Sequence, residues 1–230
     1  VLVEEWANNL LSANQSSVET DTTGFVGEPA TTTISRDTAK AWHGAASLKV
    51  VTTAGASYPG AATDRITASP NTAYSGQVQV NFPAGEPGVV WLQFYDSANT
   101  HLQNFSKTFT GTGGWQRVTV TGTSPENAAK VRISVRENRA TANGITFWVD
   151  GLQIEQKSYA TSWTLGTRAA ETLTVPPEVW NNGNWTLDVI WIPTVDTSKY
   201  DYYGRIISVW IGGNNWYQIA TNPSSGGRVY

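Results

Sequence analysis

The sequence predicts an all-β protein: a two-sheet antiparallel sandwich followed by a partial second β-sandwich. Three observations lead there. Helical periodicity is nearly absent, short segments alternate apolar and polar residues along the chain, and clusters of Gly, Pro, Asn and Ser stand between those segments. Such spacing suits sheets packed face to face around one core.

The strands are expected at residues 46–52, 74–82, 89–96, 115–121, 130–137 and 146–154. Successive strand residues point to opposite faces, so alternation sorts inside from outside. Val78, Val80 and Phe82 are inward, leaving Gln77, Gln79 and Asn81 outward. Leu92 and Phe94 turn in, and Trp91, Gln93 and Tyr95 turn out. Val131, Ile133 and Val135 fill the core opposite Arg132, Ser134 and Arg136. Residues 158–170 break the pattern and read as a connector between a first unit, 1–157, and a second, 171–230. In the second unit, 172–175, 184–193, 204–212 and 215–221 read as strands.

Composition removes several function classes. Only 14% of residues are charged and the net charge is −3, so no basic field exists for nucleic acid or an anionic membrane. No apolar run reaches the length of a membrane span. With no cysteine, disulfides, thiol catalysis and cysteine-ligated zinc are excluded. A surface dominated by neutral polar residues suits a secreted, extracellular β-protein. His43 and His101 lie far apart in the sequence, and no Ser occupies a nucleophile-elbow context, so the chain is expected not to be an enzyme.

Residues 9–163 resemble the carbohydrate-binding modules of the family 4/9/22 type, jelly rolls that accompany bacterial glycanases and occur in phage virion proteins. The resemblance is carried by Asn9-Leu10-Leu11, Ser17-Val18-Glu19, His43-Gly44, Ser47-Leu48-Lys49-Val50 and Thr72-Ala73-Tyr74-Ser75. It continues through 90–96, 114–120 and 147–155. Residues 159–163 and 167–171 resemble the junction before a concanavalin A-like (laminin G-like) sandwich in phage tail proteins, and 184–191 is similar to an early strand of that fold. Glucanases of that kind alternate acids along one strand, whereas here Asp188 stands alone between Leu187 and Val189.

The resemblance implies a glycan groove on one sheet. Sugar C–H faces pack on aromatic rings while hydroxyls need planar polar partners, chemistry supplied by Trp91, Tyr95, Gln77, Gln79, Gln93, Arg132 and Arg136. It also implies a structural calcium, with Glu19 and Asp150 at the matching positions and backbone carbonyls completing the shell. The expected partner is a polysaccharide or cell-surface glycan. A phage virion or filament protein that assembles as a homo-oligomer or with other virion proteins is the alternative, and a fragment of a polysaccharide-degrading enzyme is a third reading.

Overall fold

The computed structural model describes residues 5–170 and, beyond them, the strands Gly204–Trp210, Trp216–Asn222 and Arg228–Val229. The chain forms two compact units, Val1–Leu173 and Thr174–Tyr230. In the first, the short strands are β1 (Ala7–Asn8), β2 (Phe25–Glu28), β3 (Thr33–Asp37), β4 (Ser47–Val51), β5 (Gly60–Thr63) and β6 (Ile66–Thr67). The longer ones are β7 (Ala73–Asn81), β8 (Pro87–Tyr95), β9 (His101–Thr110), β10 (Trp115–Thr123), β11 (Lys130–Glu137) and β12 (Thr146–Glu155), with β13 (Thr167–Arg168) last. A five-residue helix, α1 (Ala13–Ser17), is held by a capping box between Ser12 and Gln15.

The strands make a five-stranded sheet, ordered β10-β7-β12-β4-β3, and a six-stranded one, β2-β5-β11-β8-β9 with β6 also on β11. Every ladder is antiparallel. This is the all-β sandwich expected from alternation, with the jelly-roll fold that the resemblance implies. Val78, Val80 and Phe82 pack from one sheet against Val90, Leu92, Phe94, Val131, Ile133 and Val135 from the other, and all are essentially unexposed. At the centre, a side chain on Gly76 would stand only 3.1 Å from Ile133 Cδ1 and 3.5 Å from Leu92 Cδ1, so glycine there leaves room for both. At one end, Phe82 stacks on Phe147 at 4.1 Å and meets the edge of Phe109 at 4.9 Å.

The segment after β12 lies against the five-stranded sheet. Buried Glu155 accepts hydrogen bonds from Thr161 N and Oγ1, both 2.9 Å. Arg117 donates to Thr161 O at 2.5 Å, and Ser75 Oγ donates to Tyr159 O at 2.9 Å. The chain then pairs back on itself, because β13 joins β1 through Ala7↔Arg168 and Asn8↔Thr167.

In the second unit β14 (Gly204–Trp210), β15 (Trp216–Asn222) and β16 (Arg228–Val229) form an antiparallel meander. The strands expected at 172–175 and 184–193, Asp188 among them, lie outside the described residues. The strands expected at 204–212 and 215–221 coincide with β14 and β15.

Truncating Phe147 to Ala removes a fully buried ring that stacks on Phe82 in the core. The variant is expected to lose about 3–5 kcal/mol of unfolding free energy, read as a lower urea midpoint at unchanged slope.

Candidate functional site

On the outer face of the six-stranded sheet, the register of β8 against β11 brings the expected residues together. Trp91 pairs with Ser134 and Gln93 with Arg132, while Arg136 follows two places on from Ser134. Directly paired antiparallel residues project from the same face, so these side chains are neighbours by construction. Glu28 of β2 sits beyond Gly60 of β5, which in turn pairs with Arg136. Because Gly60 has no side chain, Glu28 and Arg136 meet across it.

The result is a charged network. Arg132 Nη1 and Nη2 donate to the two Glu28 oxygens at 2.7 and 3.0 Å, and Arg136 Nη2 donates to Glu28 Oε2. Arg132 Nε donates to Gln93 Oε1 at 2.9 Å, and Gln93 Nε2 donates to Asn104 at 3.2 Å. Arg136 reaches Ser134 Oγ and the carbonyl of Tyr58. Burial opposes ionisation of Glu28, but the Arg132 hydrogen bonds and both guanidinium charges outweigh it and hold the carboxyl below its usual range. Burial pulls Arg136 down from its ordinary value, against the pull of Glu28.

The aromatic rings lie against these cations. The Arg136 guanidinium is 4.8 Å from the Trp91 ring centre, and Tyr58 stands 5.9 Å from the same ring. Arg65 lies 4.1 Å and Arg132 5.2 Å from the Tyr95 ring, which is 4% exposed. Trp91 is only half-buried. Arg65 also lines a cleft of ≈490 Å³ with Asn14, Asp21, Thr23 and Asp64.

Gln77 and Gln79 are a correction to the sequence reading. Both point away from the core, as alternation requires, but β7 belongs to the five-stranded sheet, so they face the opposite side of the sandwich from Trp91. Gln77 accepts from Arg117 Nε at 2.5 Å and is 2% exposed beneath the 159–161 segment. Parity assigns inside and outside within a strand; it carries no information about which sheet the strand joins.

Glu19 and Asp150 converge on the turn at residues 42–45. Asp150 Oδ2 accepts the amides of Trp42 (2.9 Å) and His43 (3.0 Å), and Oδ1 that of Gly151 (2.7 Å). Both Glu19 oxygens accept Ala45 N, and Gly44 takes a φ of +66° against the Glu19 carboxylate, where any side chain would collide with it. Calcium asks for six to eight converging oxygens. Here peptide N–H groups face both carboxylates, and among the described residues no cluster of three or more His, Cys, Asp or Glu exists. The arrangement binds amides and does not present a calcium shell.

No protein-family model matches the sequence, and no curated protein matches it. Solved structures do. The CBM22-1 xylan-binding domain of Paenibacillus barcinonensis Xyn10C is similar at 19% identity and TM-score 0.52, over 68% of this chain and 99% of that one. The CBM22-1-GH10 modules of Clostridium thermocellum xylanase 10B, complexed with xylohexaose, align at 15% identity and TM-score 0.52, over 66% of this chain and 29% of that one. An arabinose-bound GH51 α-L-arabinofuranosidase aligns at 13% identity and TM-score 0.52, over 71% of this chain and 28% of that one. The first unit has the jelly-roll fold of carbohydrate-binding modules. At these identities the likeness concerns the fold alone.

Within this jelly roll, sequence reasoning missed Glu28, Tyr58 and Arg65. Glu28 was not legible, since Phe25-Val26-Gly27-Glu28 is a short strand without a strong apolar alternation. Tyr58 lies in a turn at φ +45°, which no periodicity announces.

Burial pushes the Asp150 carboxyl up to about 6, against the amides that favour its charge, with Glu19 adding to the rise. A folded value above the unfolded one stabilises the protein fully below the unfolded value and loses that contribution as pH rises through 6. The stability difference between the parent and Asp150→Asn, followed by thermal unfolding, is therefore expected to shift against the parent between pH 4 and 6. Millimolar calcium is expected to leave the parent midpoint unchanged at pH 7; a rise of several degrees would show that carbonyls replace the amides.

Proposed function

We propose that the jelly roll is a non-catalytic module that holds a polysaccharide or cell-surface glycan on the outer face of its six-stranded sheet, in a secreted or virion-borne protein. One observation carries this reading: a half-buried Trp91, flanked by Tyr58, stands beside two arginines and an amide already linked by hydrogen bonds. An indole offers a sugar ring its apolar surface. Arg132 and Arg136, 6% and 7% exposed, each commit three of five N–H groups to their neighbours and so hold a fixed polar floor beside the indole.

The xylan-binding and xylohexaose-complexed neighbours support the class of ligand. Binding of this kind supplies proximity to a surface and no bond making. His43 packs on Trp163 and His101 on Asn104 and Tyr95, which supports structural roles for both.

Titration with soluble polysaccharides, xylan first, is expected to quench tryptophan fluorescence. Trp91→Ala should weaken the affinity about tenfold or more, the equivalent of about 1.4 kcal/mol. An unchanged affinity in that variant would remove this face from the proposal.

A further inference from the structure

We infer that the outer face of the five-stranded sheet is a second glycan-binding surface, built on Trp115 and Trp148 and independent of the Trp91 face. The register places them in one row. Trp115 pairs with Asn81, Asn81 with Trp148, Trp148 with Lys49, and Lys49 with Ser35. All therefore project from the same side, and the two indoles are two strand spacings apart, about 10 Å, a span suited to two linked pyranose rings. Both indoles are half-buried.

The ring of Trp148 is fixed by its Nε1, which donates to Asp37 Oδ2 at 3.1 Å. Lys40 Nζ sits 3.8 Å from the centre of that ring and donates to Asn81 Oδ1 at 3.5 Å. One row further along, Trp42 lies against Gly151: a Cβ there would stand 2.7 Å from its ring. Trp42 is still 38% exposed. Three indoles are thus spaced by an amide, two lysines and a carboxylate.

That composition selects the occupant. The cores of protein–protein interfaces are depleted of Lys and Asp, whereas a hydroxyl-rich chain needs donors and acceptors between its stacking positions. The 159–161 segment covers only the other half of the sheet, over Ser75, Gln77 and Arg117. The Trp115–Asn81–Trp148 row lies beyond it.

Hydroxyl-radical footprinting of the full chain, with and without saturating soluble xylan or mixed-linkage β-glucan, tests this without any substitution. Oxidation of Trp115 and Trp148 is expected to fall severalfold with at least one of them, and to fall equally in the Trp91→Ala variant. In parallel, the Trp115→Ala/Trp148→Ala double variant should lose about tenfold or more in affinity for the residual binding of Trp91→Ala. Unchanged oxidation of Trp115 and Trp148 with both polysaccharides overturns the inference, whether or not Trp91 is protected. Protection that disappears in Trp91→Ala also overturns it, because the effect then originates on the other face. Protection that rises with protein concentration alone, matched by a dimer on sizing, overturns it in favour of self-association. Protection of Trp115 and Trp148 with Trp91 unprotected upholds this surface and sinks the first.

Discussion

Leu92 and Ile133 reach across the sandwich to a position that has no side chain, Gly76, and the close approach of the two sheets at that point governs everything outside it. With β7, β8 and β11 locked in register by their inner faces, a slip of one residue would turn every buried valine outward. The outer residues are consequently held in rows that they did not select. Trp91 stands beside Ser134, and Trp148 beside Asn81, because Val90 and Val149 are buried.

The two outer faces solve the exposure of aromatic rings differently. On the six-stranded sheet a guanidinium lies against each ring, Arg136 at Trp91 and Arg132 at Tyr95, and both are tied to a single carboxylate, so two cations share one anion in a partly desolvated layer. Desolvation costs such a layer more than an isolated surface pair would pay, and the bidentate geometry of Arg132 on Glu28 offsets that cost. On the five-stranded sheet one half is roofed by the chain that follows β12, through Glu155 and Arg117, and the other half keeps its indoles.

Five of the six long strands, and the short β4, were legible because their apolar alternation is strong and their turns are rich in Gly, Pro and Asn. Strand β9 was not, since its outward residues are polar and its inward ones are only half-buried at a sheet edge, which leaves little alternation to read. The short strands β2, β3 and β5 gain their pairing from tertiary contacts and have too few residues to show a period. The same limit explains the site. Five of the seven expected residues fall on one face because β8 and β11 are adjacent strands, and Gln77 and Gln79 do not, because sheet membership is decided by the connections between strands and by packing across the core. Residues 158–170 read as a connector for a similar reason: a strap with no period of its own declares itself only through the partners it finds, here Ser75, Arg117 and Glu155.

The pairing of β1 with β13 brings the two ends of the jelly roll side by side at Ala7 and Arg168. Tension on the flanking polypeptide would load this two-residue ladder first and open it like a zip, one hydrogen-bonded pair at a time. The large sheets would feel no shear until that clasp had parted, so a module anchored to a surface by either outer face could be tugged from its ends while its grip stayed undistorted.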